Sequence, residues 1–373
     1  MRVVAIRDST GITALEGVWR ALQARCPDLT PFQTWEWNEV WWKHFGARKR
    51  LLLLIFHAGE QPVGIAPLYI SRHLGTPLRR LAWVGTGQSD YLGPVVLPGY
   101  AMEVAEALWQ TLRAYQTCWD IADLQQIRAD SALLSPSLLS TEATPLPMEP
   151  CPFLTLPDDW SAFTARLSKK MRANLGYYER LLYRTFPDAR MFLADASTLE
   201  EGMRAFFALH QSRWNARWLP GVLGSRRVQA FHCEVAGRFL ANGWLRLHLL
   251  QADGNLRAAL YCYALGKRTY YYLGGFAPEY ARYSPGTLLT ARAIRNAITE
   301  GHIEFDFLRG DEAYKYRWHP EQRLNYRLLL PGAYRGLGAL TGRAGLALNR
   351  IERYVERRLK ALTAQQGHVA KER

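Results

Sequence analysis

The chain reads as an α/β (α+β) protein of two related halves, each a mixed sheet flanked by helices, with an amphipathic helix behind them. Three observations carry this reading. At 373 residues the chain is too long for one comfortable core and about right for two domains. With 49% apolar and 21% charged residues it can bury cores of that size and is no disordered polymer. One order of elements (hairpin, strand, helix opened by Pro-Gly, strand) also occurs twice.

In the first copy, apolar runs over 51–57 and 62–70 flank the turn Ala58-Gly59-Glu60-Gln61, the pattern of a β-hairpin. A strand over 81–84, a Gly-rich loop, Pro98-Gly99, an amphipathic helix over 101–115 and a strand over 119–127 containing Asp123 follow. The second copy has strands over 244–250 and 256–265 around Ala252-Asp253-Gly254-Asn255, then a strand over 269–273. Pro285-Gly286 opens its helix over 288–299, and its last strand, 303–308, contains Asp306. Such agreement marks a duplicated unit, with chance likeness of hairpin-plus-helix segments as the competing reading. Residues 131–157, rich in Ser, Thr and Pro, read as a linker or long crossing segment. Domains are therefore expected at 1–150 and 151–330, with a tail at 331–373. Helices over 161–183 and 198–214 are expected before the second sheet.

The first residues lack the apolar core of a signal peptide, and no stretch approaches the roughly 18 apolar residues needed to span a bilayer. Five scattered cysteines without a CxxC pair argue against a disulfide framework and against a zinc site, so a cytoplasmic chain with no metal is expected. Residues 1–150 hold 13 Lys/Arg against 14 Asp/Glu, whereas 151–373 hold 34 against 19. A field of that sign attracts nucleotides, tRNA, acidic sugar nucleotides or an anionic membrane, or is a solvated basic face.

Chemistry concentrates between Tyr283 and Lys315. In Arg282-Tyr283-Ser284-Pro285-Gly286-Thr287, Ser284 suits an N-cap and Pro285 the first helical position. Gly286 and Thr287 are expected to leave free N–H groups at the positive end of the helix, a phosphate site. After the strand with Asp306 come Arg309, Asp311, Glu312 and Lys315, at a strand end where α/β sheets place their sites. Asp306 either points into a pocket or is a buried, hydrogen-bonded structural acid. Lys315 is a candidate for neutralising a phosphate or a developing charge, or a surface lysine.

The run Tyr-Ser-Pro-Gly-Thr-Leu-Leu, then Gly301 and Phe-Asp-Phe-x-Arg-Gly-Asp-Glu-x-Tyr-Lys-x-x-Trp, resembles the CelD-like (cellulose biosynthesis) family of the GNAT acyltransferases. The helix Leu167-Ser168-Lys169-Lys170-Met171-Arg172-Ala173-Asn174 and the segment His210-Gln211-Ser212-Arg213-Trp214 match it too, so the likeness covers roughly 160–318. Phe32-Gln33-Thr34-Trp35-Glu36-Trp37 resembles the N-terminal region of the same proteins, and the duplication agrees with the tandem GNAT domains of FemAB-type aminoacyltransferases. The resemblance implies a degenerate GNAT-like first half and a GNAT-like second half. It implies an enzyme moving an acyl group from acyl-CoA, acetyl-CoA or longer, to an amine or hydroxyl of a small molecule or sugar in envelope, polysaccharide or metabolite biosynthesis. The Gln/Arg-x-x-Gly-x-Gly/Ala loop of such enzymes is represented by a displaced version, Arg282 to Thr287.

Attack on a thioester needs a deprotonated nucleophile, donors for the oxyanion and an acid for the thiolate. Asp306 or His210 is the expected base, N–H groups beside residues 260–263 the donors, and Tyr261, Tyr263 or Tyr314 the acid. Arg282, Ser284, Gly286, Thr287 and Lys315 are the expected cofactor contacts. Lys170, Arg172, Asn174, Arg213, Trp214, Arg309 and Glu312 are the expected substrate contacts. In the first half Leu97-Pro98-Gly99-Tyr100 lacks the Ser cap, and Asp123 is followed by no charged cluster, so that half is expected to be a scaffold that walls a cleft with Trp35, Trp37, Gln88, Ser89, Asp90 and Tyr91.

Residues 336–373 carry apolar positions at helical spacing among arginines, a basic amphipathic helix that docks on the protein, on a partner or on the inner face of a membrane. Two other classes stay open: a FemAB-like transferase using aminoacyl-tRNA, and a non-catalytic GNAT-derived subunit of a polysaccharide assembly system.

Overall fold

The computed structural model describes residues 1–72, 78–139, 143, 145–215 and 223–332, with the backbone alone for 213–215. The amphipathic tail expected at 336–373 lies outside the described residues.

The first half runs β1 (Arg2–Ile6), α1 (Gly11–Ala14), α2 (Glu16–Gln23), α3 (Trp35–Phe45), β2 (Arg50–Ala58), β3 (Gln61–Arg72), β4 (Arg79–Trp83), β5 (Val95–Val96), α4 (Ala101–Ala114) and β6 (Ile121–Arg128). There follow β7 (Pro145–Thr155), α5 (Trp160–Arg166), α6 (Lys169–Thr185), β8 (Arg190–Leu193), α7 (Leu199–Asn215) and α8 (Arg226–Ala241). The chain continues through β9 (Leu245–Ala252), β10 (Asn255–Leu265), β11 (Arg268–Phe276), α9 (Pro285–Thr299), β12 (Glu304–Asp306), α10 (Ala313–Tyr316) and β13 (Glu321–Pro331).

All strands join one sheet in the order β1-β2-β3-β4-β6-β13-β7-β12-β11-β10-β9-β8, with β5 beside β3. Read outward from the centre, β6-β4-β3-β2-β1 matches β12-β11-β10-β9-β8. Each half also carries one parallel pair, β4 with β6 and β11 with β12. The duplicated order read from the sequence is thus present in the sheet. At the centre the halves trade strands. β7, which follows β6 in the chain, pairs with β12; β13, which follows β12, pairs with β6; and β7 and β13 pair with each other.

The Pro-rich stretch expected as a linker or crossing segment contains β7. Prolines are tolerated there for a geometric reason. Within β7, β12 pairs only with Phe153, Leu154 and Thr155, so the Pro-bearing part of β7 has β13 as its one strand neighbour among the described residues. On its other side the carbonyls of Pro152 and Pro150 accept from the N–H groups of Phe307 and Gly310, at 2.9 and 2.8 Å, where no donor is asked of a proline. The single helix expected over 161–183 is two helices. Leu167 is extended, and Ser168 starts α6 by accepting from the Met171 N–H through Oγ at 3.1 Å. Helices α3 and α8 pack together, α7 lies on β10 and β11, and α9 covers β9 to β11 with α6 against it.

Candidate functional site

The parallel pair β11–β12 lasts only from Arg268 to Tyr270 against Glu304 to Asp306, after which β11 runs on to Phe276 alone on that side. Over residues 271–276 one edge of β11 therefore keeps its N–H and C=O groups without a strand neighbour among the described residues. The register with β10 slips at Tyr272, a bulge that re-aims the strand where the sheet opens. A cavity of about 220 Å³ fills this opening. Leu260 of β10, Tyr271, Gly274 and Phe276 of β11, Met171 of α6 and the start of α9 line it, with Tyr314, Arg317 and Trp318 closing the far side. Among the described residues its lining is largely apolar, with hydroxyls from Tyr271, Tyr314, Ser284, Thr287 and Thr290, one guanidinium, and no carboxylate or imidazole.

Ser284 occupies the N-cap position of α9 in the left-handed conformation (φ 48°, ψ 48°), and its side chain makes no capping bond. Its carbonyl accepts from the N–H groups of Thr287 and Leu288, at 2.9 and 3.1 Å. Of the two amides expected to be free, that of Thr287 is thus spent in the first turn. Gly286, which also lines the cavity, has no backbone partner for its N–H among the described residues. Arg282 is exposed, stacks 4.7 Å from the Tyr283 ring and donates to the Tyr283 hydroxyl instead of lining the cavity.

The charged cluster after β12 holds the two halves together. Asp306 is 0% exposed; its Oδ2 accepts from the Tyr91 hydroxyl and its Oδ1 from the Leu308 N–H, both at 2.7 Å. Burial raises its pKa to about 6, with Arg323 and the Tyr91 bond pulling it back. Arg309 pairs with Asp90 through Nε at 2.7 Å; burial raises the Asp90 carboxyl, and Arg309 opposes that shift. Lys315 is 2% exposed. Its Nζ donates to the carbonyls of Leu308, Arg309 and Gly310 at 3.2, 2.7 and 3.3 Å and pairs with Glu312 at 3.0 Å. These bonds fasten a loop in which Leu308 (φ 57°) and Gly310 (φ 113°) are left-handed. Of the alternatives for Asp306, the geometry is that of the buried, hydrogen-bonded acid, and the donors of Lys315 are committed to its own loop.

Strand alternation separates the other candidates. Leu260 faces the cavity, so Tyr261 and Tyr263 face the opposite side of the sheet, where both are 0% exposed within an aromatic cluster containing Trp37, Phe239 and His232. The donors expected beside residues 260–263 are on a strand paired along both edges, so the open edge is that of β11 instead. His210 is buried on α7, on the Tyr261 side, with its backbone against Gly275. Tyr314 does reach the cavity, its ring 5.9 Å from that of Tyr271. Lys170 is exposed, Asn174 is half-buried, and Arg172 donates to the carbonyls of Thr164, Ala165 and Leu167 at the end of α5. The side chains of Arg213 and Trp214 lie outside the described residues. Sequence reasoning did not single out Tyr271, Thr290, Arg317 or Trp318. Tyr271 sits in the run Tyr270-Tyr271-Tyr272, where alternation marks one of three tyrosines only once the bulge is known.

In the first half the corresponding opening is filled by the chain itself. The Leu92 N–H donates to the Gln126 carbonyl at 2.8 Å, and Val95 and Val96 pair with β3. Of the residues expected to wall a cleft, Gln88, Asp90 and Tyr91 are bonded to the second half, whereas Trp35, Trp37 and Ser89 are bonded within the first. Trp37 donates to Ser89 at 2.8 Å, Tyr272 donates to the Gln88 carbonyl at 2.8 Å, and Trp35 donates to the Ile12 carbonyl at 2.9 Å. Asp123, the counterpart of Asp306, is held by Arg327 at 2.6 and 2.8 Å.

Residues 169–316, from the start of α6 to the end of α10, match the model of the acetyltransferase (GNAT) domain. No curated protein has a sequence that matches this one. Among solved structures the chain is similar to FemX (TM-score 0.63, 10% identity, 88% of this chain and 97% of that one). It is also similar to a conserved protein of unknown function from Bacteroides thetaiotaomicron VPI-5482 (TM-score 0.57, 11% identity, 88% and 100%). A third likeness is to the C-terminal domain of a putative lysylphosphatidylglycerol synthetase from Agrobacterium fabrum (TM-score 0.55, 13% identity, 90% and 95%). At these identities the likeness is one of fold. The chain therefore has a mixed α/β architecture, and residues 169–316 of its second half match the GNAT domain.

Proposed function

We propose that the opening between β11 and β12 receives the thioester arm of an acyl-CoA, acetyl-CoA or longer, and that the chain transfers the acyl group to an amine or hydroxyl of a small molecule or sugar. The observation that carries this reading is the unpaired edge of β11 over residues 271–276 beside the start of α9, inside the segment that matches the GNAT domain. The residues present fit such a donor. The strand edge offers N–H and C=O groups to an amide-bearing arm, Leu260, Met171 and Trp318 offer an apolar floor, and the Gly286 amide with Arg317 offers donors to phosphate.

When bound, the thioester supplies an activated acyl carbon. In this reading the β11 amides hold the acyl oxygen and the Tyr271 or Tyr314 hydroxyl protonates the departing sulfur, which the lining of the cavity by both rings supports. Among the described residues the cavity wall holds no carboxylate or imidazole, and in this reading the nucleophile gives its proton to water or arrives deprotonated. The finer likeness to the CelD-like family, which supports a sugar acceptor in polysaccharide synthesis, and a cytoplasmic setting belong to the same proposal; no helix among the described residues is long and apolar enough to cross a membrane. Contact of residues 336–373 with a membrane or partner is part of it too.

Thiol release from acetyl-CoA and longer acyl-CoAs in the presence of a panel of amines and amino sugars tests the reading. Absence of release from folded protein with every donor and acceptor would sink it and leave tRNA-dependent transfer or the non-catalytic subunit. The excess of 34 Lys/Arg over 19 Asp/Glu in residues 151–373 favours a second reading, an aminoacyl group delivered by tRNA. Activity abolished by ribonuclease and indifferent to coenzyme A would select it.

A further inference from the structure

On the outer side of α9 a groove of about 440 Å³ runs between α6 and α9, within the size range of small-molecule sites, about 300–1,000 Å³. Leu288, Ala291, Arg292 and Arg295 of α9 turn toward it, whereas Leu289 and Thr290 face the β11–β12 cavity, so the two hollows share a helix and present different faces of it. From Gly286 at one to Arg295 in the other is about 13 Å along the helix axis.

Two features of the groove point to a ligand. Arg292 and Arg295 make no ion pair or side-chain hydrogen bond among the described residues, and the Nε of Arg292 is shut away from solvent without a partner. The sealed Nε is out of reach of the groove, so it is the remaining N–H groups of the two guanidinia, on the groove wall, that are left to meet an anion. Arg172, by contrast, is committed to the carbonyls at the end of α5. The second feature is Trp160. It is half-buried on the groove wall and stacks on Phe163 (5.4 Å, 26°), which stacks in turn on Trp318 of the cavity (6.4 Å, 28°). One face of the indole is fixed against Phe163, and the residue lines the groove. The rest of the wall is mixed, with Leu175, Met191, Leu288 and Ala291 beside one carboxylate, Glu179, which the arginines outnumber; an aromatic ring beside unpaired guanidinia is the combination that takes a planar heterocycle carrying phosphates.

We infer that the groove between α6 and α9 binds a nucleoside phosphate, the base on Trp160 and the phosphates on Arg292 and Arg295. The site is separate from the β11–β12 cavity and does not depend on the donor assigned to that cavity. A nucleotide-activated acceptor and a free nucleotide effector share this chemistry.

Calorimetric titration of the full chain with ADP, UDP and inorganic pyrophosphate, each with and without saturating coenzyme A, tests the inference. Both nucleotides bind, more tightly than pyrophosphate, and coenzyme A leaves their affinity within about twofold. R292Q/R295Q weakens both by at least about tenfold, with a shallower salt dependence. W160L weakens the nucleotides by about tenfold and leaves pyrophosphate unchanged. All variants are compared at equal melting temperature to the parent. Silence of the parent protein toward both nucleotides, unchanged binding in either variant, or displacement by coenzyme A overturns the inference; thiol release from acyl-CoA is read separately and decides only the cavity. With a UDP-sugar in place of UDP, faster acyl transfer to that sugar identifies an acceptor, and altered transfer to an unrelated amine identifies an effector.

Discussion

The Tyr91 hydroxyl donates to Oδ2 of Asp306 across 2.7 Å, between residues 215 positions apart, and ties the loop that fills the first half's opening to the strand that ends at the second half's. Burial raises this carboxyl to about 6, above the ordinary 3.8. The native state thus holds the proton more tightly than the unfolded chain. The resulting stabilisation is complete below about pH 4 and fades as pH rises through about 6, a change of about 3 kcal/mol at most. Urea unfolding of the parent and D306N is expected to show their stability difference shrinking by that order between pH 4 and 7. A difference that stays flat would remove the buried acid from the account. In Y91F, which deletes a bond favouring the carboxylate, the midpoint of the effect moves to higher pH.

Lys315 is expected to matter for stability before activity. K315M leaves the carbonyls of Leu308, Arg309 and Gly310 without their shared donor and releases the loop with left-handed Leu308. A loss of about 2–4 kcal/mol follows, read by chemical denaturation. A surface lysine would cost under about 0.5 kcal/mol.

Two glycines separate packing from ligand binding. A Cβ on Gly275 would sit 2.4 Å from the His210 nitrogen and 2.6 Å from the Leu209 carbonyl carbon, backbone atoms that can give way only if α7 lifts off β11. G275A is expected to cost at least about 3 kcal/mol. At Gly286 the nearest atom to a new Cβ is 3.6 Å away, on the Phe276 ring, and alanine suits a helix better by up to about 1 kcal/mol. Thermal melts of the two variants should shift in opposite directions, and G286A keeps the amide proposed to meet phosphate.

For the proposed chemistry, Y271F and Y314F distinguish a proton donor from a wall. Loss of the hydroxyl that protonates sulfur lowers kcat by about 10²-fold with KM little changed, most strongly for donors with a basic leaving thiolate. Equal and small effects on both constants in both variants would assign the rings to packing alone.

Repeated turn chemistry and paired Pro-Gly helix starts made the duplication readable, because hairpins and helix ends are local events. Strand β7 was hidden by its own composition: Pro147, Pro150 and Pro152 argue for a loop unless one knows that a strand neighbour lies on one side only. The start of α9 was placed correctly, yet the left-handed Ser284 and the spent Thr287 amide depend on a tight turn that residue types alone do not specify. The cluster Asp306, Arg309, Lys315 stood out as charged residues after a strand. Its role turns on Asp90 and Tyr91, more than 200 positions away, and on main-chain carbonyls, partners that no local pattern reveals.

The exchange of β7 and β13 means that neither half owns a complete sheet. A chain cut after β6 loses β13 from the edge of β6, and a chain begun at β7 carries a β13 with no β6 to receive it. Freeing either half would require re-threading its last strand onto its own sheet, not merely deletion of the other half. Independent expression of residues 1–144 and 145–332 should therefore give two insoluble products that become soluble when made together, which makes this tandem arrangement one obligate folding unit written as two repeats.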